Sequence, residues 1–164
     1  MCKTQNGGNN WKFKDFSNEF SDVLFTSPQT GYMVGYGEIL KTTDSGETWK
    51  QEDFKGDNLQ KLTLQSDQLW ACGYKGKIFC QQDKNWESDF KVSDWNNKIH
   101  WRDIICTSGN QIIAVGNSGF VYLQNTEKLL QGDNYPNFLA ITEISKNTIC
   151  IAGEDGNIYI SSEF

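Results

Sequence analysis

The sequence predicts an all-β protein built from about four copies of a strand-rich unit. Three observations carry that reading. Two apolar runs joined by a pair of nearby glycines occur four times, with the leading glycine at Gly35, Gly73, Gly116 and Gly153, separations of 38, 43 and 37 residues. The apolar runs are nearly continuous rather than alternating, as expected of strands covered on both faces. No segment carries an extended helical period. Repeats near 40 residues made of short strands are the mark of propeller blades, so the expected architecture is a small β-propeller of about four blades, each of four antiparallel strands.

Each repeat reads as follows. The hairpins are Gly31–Leu40, Leu69–Cys80, Ile112–Leu123 and Ile149–Ile160, with glycine at the turn to supply positive φ. A strand precedes each hairpin, at Asp22–Phe25, Lys61–Leu64, Asp103–Cys106 and Leu139–Thr142, and a polar turn joins the two. An outer strand follows at Trp49–Glu52, Trp86–Phe90 and Glu127–Leu130. The chain is read as one domain, 1–164, with blades at 20–55, 58–92, 100–132 and 137–162. Residues 1–14 hold a spare turn and outer strand, and the fourth repeat lacks an outer strand. The expectation is therefore that the N-terminal strand closes the last blade, removing the open edges; the alternative is an arc belonging to a larger ring.

Thr42-Thr43-Asp44-Ser45-Gly46-Glu47-Thr48-Trp49 fits Ser/Thr-x-Asp-x-Gly-x-x-Trp, and Thr4 to Trp11 has the same spacing with Asn6 in the Asp place. An Asp side chain here accepts backbone N–H bonds across the turn, the glycine permits the turn, and the Trp begins the outer strand. This stretch resembles the Asp box of bacterial neuraminidase repeats, and Gly31–Trp49 resembles repeats of photosystem II assembly-factor-like propellers. The resemblance implies a propeller, with a structural role for Thr42, Asp44, Gly46, Trp49, Asn6 and Trp11 away from any catalytic centre. The acidic balance of the chain departs from the basic patch of the assembly factors.

Composition narrows the function. The net charge is −6, which disfavours nucleic acid and anionic membrane surfaces. No apolar run approaches a membrane span, no secretory leader is evident, and the five cysteines follow no disulfide pattern. An intracellular setting is expected, in the cytoplasm or an organelle lumen of reducing character. A sialidase-type site needs several arginines to hold a carboxylate, and the chain has Arg102 alone. His100 is the single histidine, so no His-based metal site is expected, and a His100–Cys106 pair is disfavoured by a cysteine in a buried strand. Gly153–Asn157 reads as a hairpin turn rather than a calcium loop. The expectation is a protein that is not an enzyme, with no cofactor. Tyr36, Phe54, Tyr74, Trp95, Trp101 and Tyr135 fall in hairpin turns and inter-blade connections that share one face in a propeller. That face is the candidate binding surface, for another protein or multi-subunit complex, or alternatively for a glycan stacked on Trp95, Trp101, Tyr74 and Tyr135.

Overall fold

The computed structural model describes residues 1–54, 56–82, 85–88, 98–124, 128–130 and 136–162. Among these residues the structure is all-β, with helical geometry confined to single 3-10 turns. Strands β1 (Cys2–Lys3) and β2 (Lys12–Phe13) form a separate hairpin. Sheet I contains β3 (Phe20–Phe25), β4 (Gly31–Gly35), β5 (Ile39–Thr42) and β6 (Lys50–Gln51). Sheet II contains β7 (Leu59–Gln65), β8 (Gln68–Gly73), β9 (Ile78–Gln82) and β10 (Asn85–Ser88). Sheet III contains β11 (Trp101–Cys106), β12 (Ile112–Gly116), β13 (Val121–Leu123) and β14 (Lys128–Leu130). Sheet IV contains β15 (Phe138–Ser145), β16 (Thr148–Gly153) and β17 (Ile158–Ser161). Within each sheet, sequential strands pair antiparallel.

The first strands β3, β7, β11 and β15 lie side by side, so the sheets stack face to face in chain order. Three apolar clusters fill the three gaps. Tyr32, Val34 and Ile39 of sheet I meet Leu62, Leu69, Ala71 and Phe79 of sheet II. Trp70, Cys72, Ile78 and Cys80 of sheet II meet Ile104, Ile112, Ala114 and Tyr122 of sheet III. Ile113, Val115, Val121 and Leu123 of sheet III meet Ile141, Ile149 and Ile151 of sheet IV. Strand β8 shows why its sequence does not alternate: Leu69 and Ala71 face backward to sheet I, Trp70 and Cys72 forward to sheet III.

Polar clasps tie the inner strands across the gaps. The Asp22 carboxylate of sheet I accepts the Leu62 N–H of sheet II at 2.9 Å, and Asp103 of sheet III repeats this on the Ile141 N–H of sheet IV at 2.9 Å. In the gap between sheets II and III, the Thr63 hydroxyl accepts the Cys106 N–H at 3.2 Å.

The leading glycines answer a different need from the one expected. Gly73 and Gly116 are extended, with φ of −178° and −153°. A Cβ on Gly73 would lie 2.1 Å from the Asn58 carbonyl oxygen, and one on Gly35 2.0 Å from that of Glu19. Close approach of the inner strand excludes a side chain, and the positive φ belongs to the second glycine of each turn.

Closure by residues 1–14 also differs from the expectation. The N-terminal hairpin lies against sheet I: Lys3 Nζ bonds Glu47 Oε1 and the Ser45 carbonyl, both at 2.6 Å, and Lys14 Nζ bonds the Glu47 carbonyl at 3.1 Å. Among the described residues β17 is an edge strand, and β1 and β2 pair only with each other. The physical reason is the one visible in the sequence: Cys2-Lys3-Thr4 and Ile160-Ser161-Ser162 both carry third-strand chemistry, and one sheet position cannot hold both.

Candidate functional site: the hairpin-turn face

The turns that follow β4, β8, β12 and β16 sit at one end of the stacked sheets, together with the connections that lead into β3, β7, β11 and β15. Four backbone bonds prove this shared placement. The N–H groups of Tyr36, Tyr74, Asn117 and Glu154 donate to the carbonyls of Glu19, Asn58, His100 and Asn137, at 3.1, 2.9, 3.1 and 2.9 Å. Each turn is therefore fastened to the entry of its own inner strand. Side chains carry the fastening between sheets III and IV. Asn137 Oδ1 accepts the Ser118 N–H at 2.8 Å, and Asn137 Nδ2 donates to Glu154 at 2.8 Å. Asn117 Oδ1 accepts the His100 N–H at 2.6 Å.

On this clamped frame Tyr36 projects into solvent, 68% exposed. Tyr74 stands edge-on to His100, ring centroids 4.5 Å apart at 88°. Lys75, in the left-handed region at φ 57°, pairs with Asp57 at 2.8 Å, and Lys77 approaches the same carboxylate at 3.8 Å. Burial and the neighbouring Arg102 charge push the His100 pKa below its ordinary value, which favours the neutral ring at neutral pH. The face thus offers an exposed phenol, an aromatic pair and a lysine pair held by one carboxylate.

Phe54 and Trp101 are corrections to the expected surface set. Phe54 turns inward and packs edge-on against Phe79 (5.1 Å) and Trp86 (6.3 Å) in the gap between sheets I and II. Trp101 is fully buried between sheets II and III beside Ile99. Wedge-shaped gaps between stacked sheets need large rings to reach native packing density, and connections supply them. Trp95 and Tyr135 lie outside the described residues. Tyr36 and Tyr74 are the candidates that the structure places on the face, and His100 joins them through its ring contact with Tyr74, a contact between residues 26 positions apart that no local pattern announces.

No catalytic pairing links His100 to Cys106. His100 immediately precedes β11 and Cys106 ends it, about 20 Å apart at strand rise. The Cys106 thiol is pushed up by burial and by the Glu143 charge, away from thiolate. Among the described residues, no group of three or more His, Cys, Asp or Glu side chains is placed to hold a metal ion, and no helix is long and apolar enough to cross a membrane.

The turn from Thr42 to Trp49 lies at the opposite end of the sheet. Asp44 Oδ1 accepts the Thr48 N–H and the Thr42 hydroxyl, both at 2.8 Å, and Oδ2 accepts the Thr48 hydroxyl at 2.6 Å. These donors hold the Asp44 pKa down to about 2. Thr42 Oγ1 accepts the Gly46 N–H at 2.9 Å, and Trp49 Nε1 donates to the Gly46 carbonyl at 3.1 Å. Asn6 reproduces the frame: its Oδ1 accepts the Asn10 N–H at 2.9 Å, and Thr4 Oγ1 accepts the Gly8 N–H at 2.9 Å. Trp11, by contrast, is largely exposed.

No family model and no curated protein matches the chain. Solved structures do match. The chain superposes with TM-score 0.72 on YCF48 bound to a D1 peptide, at 18% identity over 99% of this chain and 58% of that one. It superposes at 0.67 on the computationally designed Ika4 protein, at 11% identity over 93% of this chain and 96% of the design. The WD40 β-propeller domain of Doa1 matches at 0.67, with 14% identity over 90% of this chain and 52% of that one. At these identities the likeness establishes the fold alone. The chain has the β-propeller arrangement, and it spans about half the length of the YCF48 and Doa1 chains.

Proposed function

We propose that this chain is a non-enzymatic protein-interaction module, its sheets serving as about four propeller blades that present the hairpin-turn face to another protein, as a subunit or assembly factor of a larger complex. The observation that carries the reading is Tyr36: a large, highly exposed ring on a turn whose backbone is fastened to the inner strand, at the same end of the stack as the Tyr74–His100 pair. Rigid aromatic anchors on a fixed frame lose little entropy on binding and make the usual hot spots of protein interfaces. The YCF48 structure, bound to a D1 peptide, is a case of the same architecture meeting a polypeptide. The glycan reading is weaker because Trp101, one of its stacking rings, is in the core. We read Thr42–Trp49 as an Asp box with a structural role. We read the setting as a reducing intracellular compartment, because the five cysteines follow no disulfide spacing.

The test is affinity purification of the tagged chain and of Tyr36→Ala and Tyr74→Ala variants. A stoichiometric protein that accompanies the wild type and is lost from Tyr36→Ala, with the melting temperature unchanged, is the expected result. Equal recovery with both variants, or recovery of no protein at all, would sink the reading.

A further inference from the structure

The turn from Thr4 to Trp11 copies the turn from Thr42 to Trp49 with one chemical difference. Thr4, Asn6, Gly8 and Trp11 stand where Thr42, Asp44, Gly46 and Trp49 do. The backbone follows: φ is 66° and 93° at Gly7 and Gly8, against 59° and 82° at Ser45 and Gly46. The acceptor pattern follows as well, since Thr4 and Thr42 each take the N–H of the glycine four residues on, at 2.9 Å. The difference is that Asn6 presents an amide where Asp44 presents a carboxylate, and that a glycine comes next. Asn6-Gly7 is the one Asn-Gly pair in the sequence.

The groups that close an imide ring at this pair are all in place. The nucleophile is the Gly7 nitrogen. Its counterpart in the other turn is tied, the Ser45 N–H donating to the Gln29 carbonyl at 2.9 Å. Among the described residues the Gly7 N–H donates to no acceptor. Gly7 also has no Cβ to crowd the attack. The electrophile is Asn6 Cγ. Its Oδ1 accepts the Asn10 N–H at 2.9 Å and the Thr4 hydroxyl at 3.1 Å. Two fixed donors on that oxygen stabilise the negative charge that grows there during attack. The leaving group is the Nδ2 amide, which donates to no acceptor among the described residues. Asn6 and Gly7 are both exposed to water. Asn117-Ser118 has the opposite arrangement. There the Lys98 carbonyl holds Asn117 Nδ2 at 3.0 Å, and Asn137 Oδ1 holds the Ser118 N–H at 2.8 Å.

We propose that Asn6 is a site of spontaneous deamidation, and that its aspartate product rebuilds the Asp44 turn in the N-terminal hairpin. The Gly7 nitrogen gives its proton to solvent base and attacks Asn6 Cγ. The new C–N bond closes a cyclic imide, and the Cγ–Nδ2 bond breaks to release ammonia. Water then opens the ring. Cleavage between Cγ and the Gly7 nitrogen leaves aspartate, and cleavage at the main-chain carbonyl leaves isoaspartate. One water is consumed, one ammonia is released, and nothing is oxidised or reduced. In the aspartate form Oδ1 keeps the Asn10 N–H and the Thr4 hydroxyl, as Asp44 keeps those of Thr48 and Thr42. The new charge joins Lys3 and Lys12 around one cavity of about 230 Å³, which Asn6, Asn10 and Trp11 also line. This inference is independent of what binds the hairpin-turn face.

The test is to hold the folded 164-residue chain at mildly alkaline pH for several days and map its peptides by mass spectrometry. Asn6 should convert to a mixture of aspartate and isoaspartate while Asn117 stays intact. The rate should rise with pH, because the deprotonated nitrogen is the attacking group. Gly7→Ala should slow the conversion severalfold. The same chain unfolded in urea separates the turn from the dipeptide. Conversion in the folded chain should be no slower than in urea, where the oriented donors on Oδ1 are lost. Slower conversion in the folded chain would show that the turn protects Asn6, and would overturn the proposal. Equal conversion of Asn117, or a rate indifferent to pH or to Gly7→Ala, would overturn it too. Asn6→Asp supplies the product directly and should melt no lower than the wild type at neutral pH. A lower melting temperature would mean that the turn rejects the carboxylate, and would overturn the rebuilding of the Asp44 turn.

Discussion

Asp44 shows how one side chain organises a turn. Its carboxylate takes bonds from Thr42 and Thr48, and the turn they shape brings Gly46 under the Trp49 ring. Its pKa of about 2 lies below the unfolded value of about 3.9. A depressed folded pKa gives stability that is complete above the unfolded value and is lost as pH falls toward the folded one. The melting temperature of the wild type should therefore fall between about pH 4 and pH 2 by more than that of Asp44→Asn, which carries no titrating proton and keeps the acceptor oxygen, as Asn6 does in the sister turn. Equal acid slopes in the two proteins would show that the carboxylate charge contributes nothing. The box was legible in the sequence because every partner of Asp44 lies within four residues. Phe54 and Trp101 were not legible as core, because their burial depends on neighbours in another sheet.

At the scale of the element, the unit is an inner strand fastened to the hairpin behind it. The fastening needs backbone to approach backbone, and glycine is the residue that allows it. Gly73→Ala would set a Cβ 2.1 Å from the Asn58 oxygen and 2.7 Å from the Leu59 Cα, both main-chain atoms that cannot swing aside. A cost on the order of 2–3 kcal/mol follows for overpacking of this kind, a fall of roughly 5–10 °C in melting temperature for a chain of this size. Gly156→Ala, with φ of +75° and no heavy atom within 4 Å of the new Cβ, should cost roughly 1–2 kcal/mol from strain alone. Thermal melts of the two variants decide the matter: equal losses would mean that conformational freedom, not close approach, is what the leading glycine supplies. Strand order and pairing were readable from the spacing of apolar runs. The inner-strand clasps of Asp22 and Asp103 were not, since an isolated Asp at a strand start has many uses and only the neighbouring sheet reveals this one.

For the whole molecule, the position of residues 1–14 is decisive. They cover part of the backward face of sheet I, where Met33 and Leu40 are buried while Val23 and Phe25 are not. Deleting residues 1–14 should expose Met33 and Leu40, at a cost of roughly 1.5–3 kcal/mol each as an upper bound. Compared with the full chain at equal protein concentration, the truncated chain should melt about 5–15 °C lower while keeping its strand signature in far-UV circular dichroism. A truncation with an unchanged melting temperature would mean that the hairpin is not part of the folded unit.

The all-β class, the repeat near 40 residues, the hairpins and the self-contained turn at Asp44 were determined by the sequence, because each rests on contacts a few residues apart or on the two-residue alternation of a strand. The tertiary structure alone decided which aromatics face solvent and where the N-terminal hairpin lies. Those properties depend on how one sheet curves past the next, a sum of small rotations over many side-chain contacts that no single stretch of sequence encodes.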